Sequence, residues 1–362
     1  MAEWIECTLG DLVTFQRGHD LPRSQMHDGK YPVVGSNGII GFHNEYTTNE
    51  PSITIGRSGN VGKPFIYYGK TWSHNTTLYI KDYKGNDPGF IFYFLKTLDL
   101  ANYAGGSAVP TLNRNHIRTL SICVPKNVNQ QKKIGIFLKK FDEKIKMNES
   151  INNNLEQQAL ATYQHMFIDN ASSNWKEGTL SDVAEITMGQ SPRSSSYNKD
   201  SIGTIFFQGR AEFGFRFPTI RLYTTEPKRM ACANDALMSV RAPVGDINVA
   251  HTDCCIGRGL AAIHSKNNHQ SFVLYTMFSL KKRLDIFNGE GTVFGSINKI
   301  SLLEMPILIP PIEKLDEFEM LVAPIDITIR NNYDEICCLE QLRDSLLLSL
   351  MSGELDVSKI NI

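Results

Sequence analysis

A stretch near the start of the chain, Trp4-x-x-x-Thr8-Leu9-x-Asp11-x-x-x-x-x-x-Gly18, recurs 171 residues later as Trp175-x-x-x-Thr179-Leu180-x-Asp182-x-x-x-x-x-x-Gly189. A second pair of segments follows. Leu112-Asn113 and Leu120-Ser121-Ile122-Cys123-Val124-Pro125 align with Ile297-Asn298 and Met305-Pro306-Ile307-Leu308-Ile309-Pro310 at an offset of 185, and a helical tail continues at 184. Self-similarity over this span means that one structural plan is used twice. The change of offset puts about fourteen extra residues in the second copy. At 362 residues there is room for both copies as separate domains. The expected division is 1–128 and 170–311 for two globular blocks, each followed by a helix, at 129–169 and 312–362.

Each block opens with short apolar runs broken by Gly, Asn and Pro. Ser52–Ile55, Thr77–Ile80, Thr204–Phe207 and Ala236–Val240 read as strands. Helical stretches are expected at Phe90–Leu98 and Ser271–Phe287. The blocks are therefore mixed α/β, with many Gly-rich loops available for contacts.

The two tails have a different pattern. From about Gln130 to Phe167, and from about Glu313 to Met351, apolar residues recur every 3.5 positions. The first seam is Ile134, Leu138, Phe141, Ile145, Asn148, Asn152, Leu155, Ala159, Thr162 and Met166. Adding 184 gives Phe318, Val322, Ile325, Ile329, Asn332, Ile336, Leu339, Arg343, Leu346 and Leu350. Two helices in one heptad phase are expected to pack on each other as a coiled coil. Each is about 50–60 Å long at 1.5 Å per residue. Antiparallel packing suits a pseudo-twofold chain, with the blocks at opposite ends of a stiff spacer. Asn148 and Asn332 hold equivalent seam positions, where a polar residue either fixes register or turns to solvent. Pro324 is expected to kink the second helix or mark its beginning.

The net charge of −1 is unevenly spread: +2 over 1–128, +1 over 129–169, +3 over 170–311 and −7 over 312–362. The two blocks can meet nucleic acid, but the chain lacks the field of a strong autonomous binder. A partner should supply much of the phosphate affinity. The cysteine count is seven, odd and without a C-x-x-C, which suits free thiols in a reducing cytoplasm. His251, Cys254 and Cys255 have poor ligand spacing and no fourth partner, so buried thiols are the better reading and no metal is expected. No apolar run reaches membrane-spanning length, and no signal peptide is expected.

Enzyme motifs are thin. Gly56-Arg57-Ser58-Gly59-Asn60-Val61-Gly62-Lys63-Pro64 resembles a phosphate loop, but its glycines are one residue too far apart and Pro64 replaces the Ser or Thr. Gly257-Arg258-Gly259 lacks a third glycine. No Asn/Asp-Pro-Pro-aromatic tetrapeptide is present, and His74, His251 and His264 are isolated. What remains are polar loops. The first block offers Ser36, Asn37, Arg57, Ser58, Lys63, His74, Asn75 and Thr76; the second offers Gln208, Arg210, Arg241 and Arg258. Arg pairs bidentately with guanine, and Asn or Gln with adenine. The alternative is that these are only tight turns capping strands.

Tyr31-Pro32-Val33-Val34-Gly35-Ser36-Asn37-Gly38-Ile39-Ile40-Gly41 with Ile53-Thr54-Ile55-Gly56-Arg57 resembles the target recognition domain of Type I restriction-modification specificity subunits. So does Ser239-Val240-Arg241-Ala242-Pro243-Val244-Gly245-Asp246-Ile247-Asn248 with Cys254–Ala262. Ser349-Leu350-Met351-Ser352-Gly353-Glu354-Leu355 is similar to the closing repeat of that family, whereas Tyr163-Gln164-His165-Met166-Phe167 lacks the Ser-Gly-Glu-Leu ending. The resemblance implies a non-catalytic reader of double-stranded DNA, one half-site per block. It implies helices that set the unread spacer and dock two methyltransferase subunits, joined by restriction/translocase subunits. It implies no cofactor in this chain: S-adenosylmethionine belongs to the methyltransferase, and ATP and Mg to the restriction subunit. The competing readings are a scaffold that does not touch DNA and a self-contained DNA-modifying enzyme.

Overall fold

The computed structural model describes residues 3–106, 110–289 and 295–356; the last residues of the expected tail lie outside them. The chain divides into two compact units, Met1–Asn148 with Glu335–Ile362, and Glu149–Asp334. Both divisions fall inside the long helices, Val128–Gln164 and Ile312–Ser352. Each unit therefore holds one globular block and a segment of both helices.

In the first unit, strand Trp4–Thr8 runs antiparallel to Ser121–Pro125, tying the start of the block to its end. The repeated Thr and Asp make the next turn. Asp11 Oδ2 accepts from the Thr8 N–H at 2.9 Å, and Thr8 Oγ1 accepts from the Asp11 N–H at 3.2 Å. This reciprocal cap starts the helical turn Leu9–Leu12. The second unit repeats the device. Lys176–Thr179 pairs antiparallel with Pro306–Ile309, and Asp182 Oδ2 accepts from the Thr179 N–H at 2.8 Å. In both turns the hydrogen bonds from threonine hold the aspartate pKa below its ordinary value.

A four-stranded antiparallel sheet follows in each unit. In the first, the order is Thr14–Arg17, Thr77–Asp82, Ser52–Gly56, Pro64–Tyr67; in the second it is Ala184–Met188, Leu260–Ser265, Ala236–Ser239, Ile247–Val249. A second sheet flanks each, three-stranded in the first unit and five-stranded in the second. Tyr31–Gly35 lies between Gly38–His43 and, in parallel, Trp72–Ser73. Thr204–Phe207 is likewise parallel to Cys254–Ile256. A buried helix covers each four-stranded sheet, Pro88–Thr97 and Gln270–Ser279. The helix expected over Ser271–Phe287 is broken at Leu280. The Thr276 carbonyl accepts from both the Ser279 hydroxyl (2.7 Å) and the Leu280 N–H (3.0 Å), and a short second helix, Lys281–Leu284, follows.

The long helices supply part of each core. Ile134, Leu138, Leu347 and Leu350 join the first, and Tyr163, Phe167, Phe318, Val322 and Ile329 the second. Of the seam residues, Ile134, Leu138, Ile145, Asn148, Asn152, Ala159, Phe318, Val322, Ile329 and Leu350 are buried; the others, among them Phe141, Leu155, Ile325, Asn332 and Leu339, are partly buried. The helices run antiparallel within each unit. In the first, Arg343 pairs with Asp142 (2.6 Å), and Glu335 accepts from Asn148 (2.7 Å) and pairs with Lys144 (3.2 Å). In the second, Asn332 Nδ2 donates to Asn152 Oδ1 at 2.8 Å, and Asn152 Nδ2 donates to the Ile329 carbonyl at 3.2 Å. Pro324 does not mark the beginning of the second helix, which runs through it from Ile312. That helix ends at Gly353, packed on Trp4. The first ends with Phe167 against Trp175, ring centroids 6.1 Å apart. The repeated tryptophans thus seat the two helix ends.

Candidate nucleic-acid interface

Three loops singled out in the first block, 35–38, 56–63 and 73–77, meet at one end of the four-stranded sheet, because antiparallel pairing brings Arg17, Thr77, Gly56 and Pro64 to the same edge. Backbone bonds knit them together. The Val34 carbonyl accepts from the His74 N–H (2.9 Å), the Thr76 carbonyl from Arg57 (2.8 Å) and Ser58 (3.2 Å), and the Arg57 carbonyl from Leu112 (2.8 Å). Thr76 Oγ1 accepts from the Ser36 N–H at 3.3 Å and lies 3.2 Å from His74 Nδ1. Two segments that sequence reasoning missed complete the platform. The His19 N–H donates to the Ser73 carbonyl at 2.8 Å, Asp20 accepts from the Asn75 amide, and Thr111 bridges to Ser58.

The second unit repeats the main bonds of this skeleton. The Phe207 carbonyl accepts from Gly257 (2.8 Å), the Gly259 carbonyl from Val240 (2.9 Å), and the Val240 carbonyl from Ile297 (3.1 Å). The Gln190 N–H donates to the Ile256 carbonyl at 3.0 Å, and Ser296 bridges to Arg241. A Cβ on Gly18 would lie 2.1 Å from the His74 carbonyl oxygen; one on Gly189 would lie 2.1 Å from that of Gly257. This close approach accounts for the glycine that closes the first repeated motif. Gly62 and Gly245 are a second matched pair. Their φ values are +78° and +86°, and their N–H groups donate to the Gly56 and Ser239 carbonyls at 2.8 and 2.9 Å. The glycines of the phosphate-loop lookalike serve this turn.

These bonds set the correspondence between the two platforms: Asn37 with Arg210, Arg57 with Val240, Ser58 with Arg241, Lys63 with Asp246, Asn75 with Arg258. Arg57 and Arg241 are one position out of step. Arg57 is partly buried and its guanidinium turns to the Asn75 carbonyl at 3.4 Å; Arg241 is exposed. In the first unit Asn37 and Lys63 are exposed, Ser58, His74, Asn75 and Thr76 are partly buried, and Ser36 is buried. Burial lowers the His74 pKa, which favours the neutral imidazole. In the second unit Gln208, Arg210, Arg241 and Arg258 are all exposed. Arg210 is held by Asp246, which also lies 3.3 Å from Lys281. Among the described residues the side chains of Arg241 and Arg258 have no ion pair or hydrogen bond.

Each block is fastened to the helices by a buried tyrosine. Tyr93 donates to Asp142 (2.6 Å), and Asp142 also pairs with Arg343. Tyr275 donates to Asp326 (2.9 Å), and Asp326 pairs with Arg216. Asp142 and Asp326 are 184 apart, so the tail offset already contained this signal. Arg216 itself is 3% exposed and also binds Glu156 at 3.1 Å and Tyr275 at 3.0 Å. It lies between Phe207 and Val240, a stretch ten residues longer than its counterpart between Val34 and Arg57. Cys254 and Cys255 are buried, and His251 Nε2 sits 2.6 Å from Asp334. Among the described residues no group of three or more His, Cys, Asp or Glu is arranged to hold a metal, and no helix is long and apolar enough to cross a membrane.

Fold and site define a class: a duplicated recognition protein, in which one loop platform is built twice on a shared helix pair and furnished with different polar heads. The chain belongs to the family of the Type I restriction modification DNA specificity domain, whose model matches residues 1–157 and again 172–318. It is a specificity subunit and not an enzyme in its own right. It is 31% identical over 332 residues to a putative type I restriction enzyme MjaX specificity subunit of Methanocaldococcus jannaschii, covering 84% of this chain and 77% of that protein. The MjaIX specificity subunit of the same organism is 22% identical over 307 residues, covering 75% of this chain and 70% of that one. A crystal structure of the Type I restriction-modification S subunit of M. genitalium shares the fold, with a TM-score of 0.66, 18% identity and coverage of 97% and 96% of the two chains.

Proposed function

We propose that this chain reads a split DNA sequence, one half-site per unit, through Ser36, Asn37, Ser58, Lys63, His74, Asn75 and Thr76 in the first and Gln208, Arg210, Arg241 and Arg258 in the second. One observation carries the reading: a single hydrogen-bonded loop skeleton, present twice, bears different side chains at matched positions. A scaffold has no need to keep the skeleton while varying its polar tips. A reader of two different half-sites does, because phosphate contacts position a protein and side-chain contacts to base edges specify the sequence. The near-neutral charge of the chain leaves much of the phosphate affinity to partners. Methyltransferase subunits, two per chain, dock on the long helices; they bring S-adenosylmethionine, and the restriction/translocase subunits bring ATP and Mg. The length of the helix pair sets the unread spacer. The seven free thiols suit the cytoplasm.

Selection from random duplexes by the assembled methyltransferase complex tests this. Recovery of two short conserved blocks separated by a fixed unread gap is expected. A single uninterrupted motif, or none, would overturn it.

A further inference from the structure

We infer that the two units read different bases: the second reads guanine through Arg241 and Arg258, and the first reads adenine or thymine through amide and hydroxyl groups. This rests on the proposal that the matched loops face DNA. The correspondence places Arg258 where the first unit has Asn75, and Arg241 where it has Ser58. Both arginines are exposed, and among the described residues neither guanidinium is engaged. A guanidinium presents two parallel donors to O6 and N7 of guanine, whereas an amide offers one donor and one acceptor, which match adenine N7 and N6. The third arginine on the platform, Arg210, is tethered to Asp246, at the position where the first unit has Lys63. Asp246 thus removes one cation from the reading surface and leaves two. In the first unit the only arginine of the three loops, Arg57, points back at the Asn75 carbonyl. The exposed Lys63 lies over the Phe65 ring, its Nζ 5.8 Å from the centroid, and Asn37, Ser58 and Asn75 are left as polar heads, with Asp20 orienting the Asn75 amide.

The test uses the chain assembled with its methyltransferase partner and a library of duplexes in which both half-sites are random. Wild type should give one half-site with fixed guanines. Arg241→Ala and Arg258→Ala should each relax one of those guanines about ten-fold, in the same half-site, and leave the other half-site unchanged. Arg258→Lys separates base from backbone contacts: it should keep affinity for arbitrary duplex and still lose the guanine preference. Unchanged motifs in both alanine variants, with affinity falling equally on all sequences, would overturn the assignment while leaving the split-site reading intact. A wild-type motif that is not split would end both.

Discussion

Gly18 and Gly189 are matched tight points of the two platforms, since any side chain there meets a backbone carbonyl that cannot move aside cheaply. Gly189→Ala should cost about 1–3 kcal/mol. The cost should appear as a lowered melting temperature and, in binding, as damage to the second half-site only; an unchanged melting curve would contradict the packing described. Arg216 is a second test. Its buried guanidinium serves Glu156, Asp326 and Tyr275 at once. Removing one member of a buried ionic cluster costs about 3–5 kcal/mol. Arg216→Met should lose about that much in urea unfolding, and a loss near zero would show the cluster to be dispensable. Burial also raises the Glu319 pKa, and among the described residues the buried Glu319 Oε2 has no hydrogen-bond partner. The folded state then holds that proton more tightly than the unfolded one. Its contribution is favourable at acid pH and is lost as pH rises above the ordinary glutamate range. The stability of Glu319→Gln relative to wild type should therefore grow as pH rises from 4 towards 7. A difference independent of pH would contradict the burial.

Strands, turns and helices differ in how openly they were written in the chain. The long helices were legible because a heptad needs only apolar spacing, and the repeat was legible because Thr8–Asp11 and Thr179–Asp182 cap by local contacts. The loop platform was half legible. The polar loops stood out, but Gly18–Asp20 and Thr111 reach it only through strand pairing, which is non-local. The one-residue misalignment of Arg57 and Arg241 has the same origin: only the bonds to Thr76 and Gly259 set that register. The helix break at Leu280 leaves no periodic trace. The seam itself yields a prediction. Asn152 and Asn332 bond to each other across the seam, and polar seam residues exchange stability for a unique register. Replacing both with leucine should raise the melting temperature while allowing more than one spacer in selected duplexes. A variant that melts lower and still selects one spacer would contradict a register role.

The chain as one reader combines these parts. Two copies of a platform differ at their tips, and each unit borrows a segment of both helices. Twofold recognition by one chain permits unlike half-sites, which identical subunits of a homodimer could not read. A linker of regular helix holds a length that a flexible one would not. Because the helices pair antiparallel, shortening one alone would break the seam. Removing one heptad from each at facing positions, around the Asn152–Asn332 contact, keeps the seam in phase. Seven residues at 1.5 Å shorten the pair by about 10 Å, close to three base pairs at 3.4 Å each. Methylome sequencing of cells carrying this doubly shortened chain with its methyltransferase should show both half-sites unchanged and the gap reduced by about three base pairs. Both half-sites retained at the original gap would contradict the role proposed for the helices.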